Sequence, residues 1–161
     1  QVIGGDSDTC ALLDDGSVVC WGLGVGDAPE EMGDNLIPIP LGTGRTAKML
    51  AKSRYNQCVI LDNGAVKCWG RSGFALGLGD TRARVAATDL GDNLPPVDLG
   101  TGRTARSIAV AIGFACALLD DHTVKCWGGN KAGALGLGDT EDRGDEPGEM
   151  GDALPTVDLA F

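Results

Sequence analysis

The chain has 161 residues, of which 26 are glycine and only 4% are aromatic, so it has material for one domain with a mainly aliphatic core. Its formal net charge of −10, without any run of five basic residues, argues against a nucleic-acid partner or an anionic membrane surface, because both repel an acidic protein. Nor is there an apolar run as long as a membrane span, so we expect no membrane insertion.

One sequence unit occurs three times. It reads CALLDDGSVVCWG at Cys10–Gly22, CVILDNGAVKCWG at Cys58–Gly70 and CALLDDHTVKCWG at Cys116–Gly128. Internal repetition at such a period is typical of propellers and solenoids, which use one supersecondary unit repeatedly. We therefore predict a single repeat domain. Its blades are predicted at about residues 1–50, 51–106 and 107–161 of the range 1–161.

Each unit predicts a β-hairpin with a tight turn. Placing Cys10 opposite Cys20 leaves residues 14–16 as a three-residue loop. Such loops commonly end in a residue of left-handed conformation, which Gly16 and Gly64 adopt without strain. We therefore assign both glycines a structural role in the turns.

The same register brings all six cysteines face to face in pairs. A directly opposed antiparallel pair places the β-carbons within disulfide range, and an even, regular cysteine count points to an oxidising compartment. We therefore predict three disulfides and an extracellular or cell-surface location; zinc, which favours shorter cysteine spacings, is the weaker alternative. No basic-then-apolar leader opens the sequence, so we expect a processed form or a fragment. The predicted disulfides are Cys10–Cys20, Cys58–Cys68 and Cys116–Cys126.

The two sides of each hairpin differ. Leu12 and Val18 share a side with the cysteines, and we expect this side to face a neighbouring blade. The other side carries Lys67 and Lys125, which we expect to reach water. A tryptophan follows the second cysteine of every unit; we interpret it as a structural wedge between blades, with a sugar- or ligand-stacking platform as the alternative. These residues are Trp21, Trp69 and Trp127.

The third copy predicts a blade of four antiparallel strands. Ser107–Ile112 is apolar and β-branched, Cys116–Leu119 and Thr123–Trp127 form the hairpin, and Thr156–Leu159 is predicted as a fourth strand. Closed propellers typically have about four to eight such blades, so three leave an open arc. We expect a homo-oligomer in which other copies complete a ring or extend a fibre; a piece of a longer array is the alternative.

Glycine-rich loops of variable length separate the strands, and a rigid scaffold usually presents its contact surfaces on such loops. One loop element, LGVGD at Leu23–Asp27, recurs as LGLGD at Leu76–Asp80 and Leu135–Asp139. The loops that we expect to make contacts are Gly24–Glu31, Ser72–Asp89 and Asn130–Gly148.

The acidic segment Gly138–Asp152 is the best candidate for a small-ligand site. Its carboxylates could supply oxygen ligands to calcium, but the spacing is not that of an EF-hand, so we favour a solvated loop and predict no cofactor and no metal. The tripeptide Arg-Gly-Asp at 143–145 matches an adhesion motif, although matches of three residues arise easily by chance. The residues named as candidate loop contacts are Asp139, Glu141, Asp142, Arg143 and Asp145.

Catalysis is not predicted. The single histidine, His122, stands where the other units have a turn glycine, and every cysteine has a partner, so no nucleophile–base pair can be assembled. The glycine-containing segment LGTGRTA, at Leu41–Ala47 and Leu99–Ala105, lacks the phosphate-loop pattern and is predicted to be a turn between outer and inner strands.

The repeated CALLDDGSVVCWG unit and the LGLGD element after it resemble the regulator of chromosome condensation repeat family, in its disulfide-containing, bacterial secreted type. The resemblance covers nearly the whole chain and implies an all-β propeller, seven-bladed in the type member. Members include a nuclear exchange factor for a small GTPase and a secreted protein inhibitor of β-lactamases, and neither role transfers residue by residue.

From the repeats and the resemblance together we expect a non-catalytic extracellular propeller module. Its partners would be other copies of itself or another extracellular protein. The alternative is a secreted enzyme inhibitor or ligand-binding propeller that acts through its variable loops.

Overall fold

Three small antiparallel sheets make up the protein. The computed structural model describes residues 1–22 and 28–159, and the LGVGD element at Leu23–Asp27 lies outside them. Each sheet has three strands in chain order, which confirms the all-β prediction. The first sheet contains β1 (Val2–Gly4), β2 (Asp8–Leu12) and β3 (Val18–Gly22); the second β4 (Ala47–Lys52), β5 (Asn56–Leu61) and β6 (Val66–Gly70); the third β7 (Ala105–Val110), β8 (Phe114–Leu119) and β9 (Val124–Gly128).

The helical segments in the described part of the chain are single 3-10 turns. None of them is long or apolar enough to cross a membrane. They fall in the glycine-rich connections after the third strand of each sheet. The turns are Pro29–Glu31, Gly33–Asn35, Gly73–Ala75, Ala87–Asp89, Gly91–Asn93 and Gly151–Ala153.

The hairpins have the register that the repeat predicts. Cys10 lies opposite Cys20 and Leu12 opposite Val18 in the first sheet, with the same register in the other two. All three cysteine pairs are joined as disulfides, each across a sequence separation of 10. The turns close on residues with positive φ, which are Gly16 (82°), Gly64 (82°) and His122 (71°).

The predicted fourth strand, Thr156–Leu159, is not formed as a strand. Instead, the segment after each sheet bonds to the outer strand at one residue: Ile39 N to Val18 O (2.7 Å), Val97 N to Val66 O (2.8 Å) and Val157 N to Val124 O (2.8 Å). Val97 and Val66 also form an isolated antiparallel bridge. A proline has no N–H to donate, so prolines beside or shortly before the bonded residue of each segment reduce the donors available to a ladder. The prolines of the three segments are Pro38, Pro40, Pro95, Pro96 and Pro155.

The sheets pack face to face through two apolar cores. We call the side with the two cysteines the cysteine face and the opposite side, with the tryptophan, the tryptophan face. The cysteine face of each earlier sheet packs against the tryptophan face of the next. In the second sheet the cysteine face comprises Cys58, Ile60, Val66 and Cys68, and the tryptophan face comprises Leu50, Val59, Leu61 and Trp69.

The two lysines on the tryptophan faces do not reach water, contrary to the sequence-based expectation. Lys67 and Lys125 are buried. The Lys67 Nζ donates to the carbonyl oxygens of Leu41 (3.0 Å) and Gly91 (2.7 Å), and Lys125 Nζ donates to that of Gly151 (2.6 Å). Burial lowers the pKa of Lys67, opposed by the nearby carboxylate of Asp92. The acceptor carbonyls lie in the segment after each lysine's own sheet (Gly91, Gly151) and, for Lys67, in the segment before β4 (Leu41), so the ammonium groups bond carbonyls instead of solvent.

Candidate functional site

The loop Asn130–Gly148 is held in place by a buried asparagine. Asn130 is fully buried and donates its side-chain amide to the Asp139 side chain (3.0 Å), while its Oδ1 accepts from Leu135 N (2.9 Å). Its own N–H donates to Asp142 Oδ1 (2.8 Å). Buried asparagine amides are costly unless bonded, so this network fixes the path of the loop.

The acidic residues named as candidate contacts mostly shape this loop themselves. Asp139 also accepts from the Arg143 guanidinium (2.6 Å) and from Glu141 N (3.0 Å). The Arg143 backbone pairs with Gly128 at the end of β9, so the Arg-Gly-Asp tripeptide forms part of the loop framework. Burial raises the pKa of Asp145, and the carboxylates of Glu149 and Asp142 raise it further. Across residues 1–22 and 28–159, no three His, Cys, Asp or Glu side chains are grouped so as to hold a metal ion.

The LGLGD element after the second sheet, Leu76–Asp80, also fixes the path of its loop. Asp80 accepts two hydrogen bonds from the Arg84 guanidinium (3.1 and 2.7 Å), and the Arg84 backbone pairs with Gly70 at the end of β6. These hydrogen bonds hold the pKa of Asp80 below its ordinary value. The element therefore folds the loop back onto its own strand. For the first loop, Gly24–Glu31, only Ala28–Glu31 is described. Within it, Pro29–Glu31 forms a 3-10 turn.

A second set of side chains is exposed on the turns that precede β5 and β8 and on the segment after β6. We call Arg54, Tyr55, Arg71, Phe74 and Ile112 the rim patch. Tyr55, Phe74 and Ile112 are large apolar side chains that are 40%, 36% and 68% exposed. In a chain with few aromatic residues, exposed rings in one region mark an interaction surface.

The rim patch is built on rigid backbone. Asn56, which is buried, donates to Ser72 O (2.9 Å) and accepts from Ser72 N (3.0 Å), which fixes the segment carrying Arg71 and Phe74. The Phe74 ring stands over the backbone of Gly129, where an added methyl group would lie 3.3 Å from it. Pre-ordered side chains lose little entropy when a partner binds.

The rim patch also carries positive charge in an acidic protein. The Arg54 guanidinium lies 5.2 Å from the Tyr55 ring centroid and pairs with Asp6 (3.1 Å). The Arg71 guanidinium has no ion-pair or hydrogen-bond partner among the described residues, and it borders a hollow of about 170 Å³. Of this patch, only Phe74 falls within a loop predicted to make contacts, Ser72–Asp89; the sequence patterns missed the other residues because they stand where the three copies differ.

The segment LGTGRTA precedes the second and third sheets, and its first threonine bonds to an aspartate in the loop that follows the same sheet. We call this threonine–aspartate contact the staple. The hydroxyl and the N–H of Thr43 both donate to the Asp92 carboxylate (2.5 and 2.8 Å), and Thr101 does the same to Asp152 (2.6 and 2.8 Å). These threonine hydrogen bonds hold the pKa values of Asp92 and Asp152 below their ordinary value. The staple ties the chain entering a sheet to the loop leaving it.

Removing a staple hydroxyl should destabilise the protein in a pH-dependent way. Because the folded-state pKa of Asp152 is lowered, its stabilising contribution is present above the carboxyl's ordinary pKa and is lost as the pH falls through the folded value. We expect Thr101→Val to lower the free energy of unfolding at neutral pH. The difference in free energy from the unchanged protein should become smaller in acid, as Asp152 is protonated. Denaturant unfolding at a series of pH values measures both. Thr88→Val, at an exposed threonine outside the staples, is the control, and a deficit that did not change with pH would contradict the assignment.

Comparison with known proteins identifies the fold. No model of a known protein family matches the chain, and no curated protein matches it in sequence. Among solved structures, yeast RCC1 (Prp20), determined with Kap60 bound, has a TM-score of 0.68 at 22% identity, with 100% of this chain and 35% of that one covered. Prp20p of Saccharomyces cerevisiae, described with its binding to Gsp1p and histones, gives 0.65 at 19% identity, with 98% and 38% covered. Human WBSCR16 gives 0.65 at 16% identity, with 99% and 39% covered.

These similarities show an RCC1-like propeller fold. The identities are too low to carry more than the fold. The chain spans little more than a third of the length of the proteins that it matches.

Proposed function

We propose that this chain is a non-catalytic, protein-binding propeller module of the extracellular, disulfide-containing kind, related to the regulator of chromosome condensation repeats. The similar yeast protein was solved bound to Kap60 and is described with its binding to Gsp1p and histones, so protein recognition is a known use of this fold. Three disulfides within one chain are compatible with an oxidising, extracellular setting. The bacterial secreted type named from the sequence is part of the proposal.

The proposal includes the architecture of the blades. Each three-stranded sheet forms one blade together with the proline-containing segment bonded to its outer strand, which takes the place of the predicted fourth strand. The three blades stand around part of a circle as an open arc, and other copies complete a ring or extend a fibre. Exposed apolar side chains on the first sheet, Val2 (68%) and Leu13 (44%), and after the third sheet, Leu159 (50%), support this part of the proposal.

The proposed role needs no catalytic chemistry and no cofactor. His122 serves as a turn residue with φ of 71°, and all six cysteines are bonded in pairs.

The second candidate function is a secreted inhibitor that presents its loops to an active site. It is favoured by one observation, the Asn130 network, which pre-orders the loop Asn130–Gly148 as an inhibitory loop requires.

The rim patch is the observation that carries the binding proposal, because it combines exposed rings on rigid backbone with the Arg71 guanidinium, which has no ion-pair partner within residues 1–22 and 28–159. We expect the immobilised chain to capture at least one protein from the extracellular fraction of its source, and Arg71→Glu or Phe74→Ala to weaken that complex by about thirtyfold, as for an interface hot spot. The affinity is measured with the purified partner.

Two matched variants test whether the loss belongs to the patch. Arg106→Glu reverses an exposed arginine outside it, and Ile37→Ala truncates a more exposed apolar residue outside it. Both should bind as the unchanged protein does. Equal binding by the patch variants and the controls would contradict the proposal. Loss on truncating the Asn130–Gly148 loop, with inhibition of a captured enzyme, would favour the inhibitor instead.

A further inference from the structure

A hollow of about 420 Å³ opens between the second and third sheets, beside the turn that joins β5 to β6. We call it the hairpin hollow. Its apolar lining comes from Met49, which is half-buried, and from Ile60 and Ala105, which belong to the core between the two sheets. Sites for small molecules typically have volumes of about 300 to 1,000 Å³ and a largely apolar lining. The hairpin hollow therefore has the size and the floor of a site for a small organic molecule.

Two β-bulges place one cation from each of the two sheets at the hairpin hollow. In the second sheet the pairing register shifts between Ala47 and Met49, so Lys48 is the extra residue of β4. Arg106 is the extra residue of β7 in the third sheet. Both side chains are exposed and line the hollow. A bulge changes the direction of a side chain, and bulges are frequent beside functional sites.

The positive charge of these two residues is not balanced by carboxylates. Within residues 1–22 and 28–159, neither Lys48 nor Arg106 forms an ion pair. The Lys48 ammonium donates only to the backbone carbonyl of Asp62. Asp62 also lines the hollow, but its carboxylate pairs with Arg45 (2.9 Å) and accepts from the N–H of Thr46 (3.4 Å). A chain of net charge −10 thus has a locally cationic hollow.

The turn beside the hollow also lacks a carboxylate that the other two hairpin turns have. Asn63 stands where the other repeats have Asp15 and Asp121. All three side chains accept a hydrogen bond from the N–H two residues later, which for Asn63 is that of Ala65 (3.1 Å). Asparagine does this without a negative charge, and it offers an NH₂ donor to the hollow that aspartate does not have. The exchange removes a group that would repel an anion.

The wall of the hollow is ordered by backbone hydrogen bonds. The N–H of Gly64 donates to Leu61 O (2.9 Å), and the N–H of Ala105 donates to Gly64 O (2.9 Å), which joins the turn of the second sheet to β7. Gly64 also packs against Thr104, where an added methyl group would come within 2.7 Å of the Thr104 Cβ. Because the wall is already ordered, a ligand loses little free energy to rearrangement of the backbone.

We infer that the hairpin hollow binds a small organic carboxylate. The Arg106 guanidinium and the Lys48 ammonium bind the carboxylate, because a guanidinium matches the two oxygens of this group with parallel hydrogen bonds. The Asn63 amide adds a neutral donor, and the apolar part of the ligand lies on Met49. The hollow is at the start of β4, whereas the rim patch follows the end of this strand. The inference is therefore independent of the proposed protein-binding role.

Titration of the isotope-labelled chain with naphthoate, followed by nuclear magnetic resonance, tests the inference. Naphthoate is the probe because it joins a carboxylate to an apolar ring system. It should shift the backbone amide signals of Lys48, Asn63 and Arg106 in a saturable way at millimolar concentration. Naphthamide, its uncharged counterpart, and inorganic phosphate, which has no apolar part, should each bind at least about tenfold more weakly.

Three variants show whether the binding belongs to the hollow. Asn63→Asp introduces the residue that the other repeats have, so it should fold, as its amide spectrum checks, and it should weaken naphthoate binding about tenfold. Arg106→Gln should weaken it at least as much. Lys131→Gln removes an exposed cation outside the hollow and should bind like the unchanged chain. Undiminished binding by Asn63→Asp and Arg106→Gln, equal binding of naphthamide or phosphate, or no saturable shift in the hollow would each overturn the inference.

Discussion

Replacing Trp127 with alanine is expected to lower the free energy of unfolding by about 3–5 kcal/mol, the usual cost of deleting a large buried aromatic side chain. Trp127 is fully buried in the core between the second and third sheets. Its indole packs against the backbone of Gly77, where an added methyl group would come within 2.7 Å of the ring. The cavity left by alanine cannot collapse easily, because rigid sheets line it on both sides.

The same substitution at the other two tryptophans should give a graded series. Trp69→Ala should cost nearly as much as Trp127→Ala, because Trp69 is buried between the first and second sheets. Trp21→Ala should cost much less, under about 2 kcal/mol, because no sheet covers Trp21. Urea unfolding followed by far-ultraviolet circular dichroism, on monomeric protein, measures all three. Equal costs at Trp21 and Trp127 would contradict the stacking order.

Removing the central disulfide should have the second large effect. Replacing Cys58 and Cys68 together by alanine is expected to cost about 2–5 kcal/mol, because the bridge restricts the unfolded chain. Both cysteines are fully buried in the inter-sheet core, so their sulfur atoms also contribute packing that alanine cannot replace. The free energy of unfolding in denaturant, compared with that of the unchanged protein, gives the cost.

The third disulfide provides a matched comparison. Cys116–Cys126 spans the same sequence separation of 10, so the restriction of the unfolded chain is equal. It lies on the uncovered cysteine face, where Cys116 is only half-buried. Its removal should therefore fall at the lower end of the range, and a cost at least as large as that of Cys58–Cys68 would be inconsistent with an uncovered third sheet.

The sequence was most informative where structure depends on local geometry. Three copies of one unit predicted three hairpins, and the spacing of ten between cysteines set the register in which Cys10 faces Cys20. The turn positions of Gly16 and His122 followed from the same register, because a three-residue loop needs a positive φ at its end.

Features that depend on contacts between sheets were harder to predict. Lys67 was expected in water, but the neighbouring segments bring two carbonyls to its ammonium group, and no local pattern reports this. The segment predicted as the fourth strand, Thr156–Leu159, bonds to the outer strand through Val157, and the sequence pattern did not indicate how short this pairing is. Most of the rim patch was missed because a repeat analysis gives weight to what the copies share, whereas Tyr55 and Ile112 occur in one copy each; Phe74 lies in the predicted contact loop Ser72–Asp89.

The central claim is that the protein contains three separate sheets and that each sheet is closed by a disulfide between its own two cysteines. Tryptic mapping of the unreduced protein tests it most directly, because cleavage after Lys67 and after Lys125 separates the cysteines of the second and third pairs. The account predicts peptide 55–67 linked to 68–71, peptide 107–125 linked to 126–131, and peptide 1–45 with an internal bridge. A bridge that joined cysteines of two different repeats would contradict it.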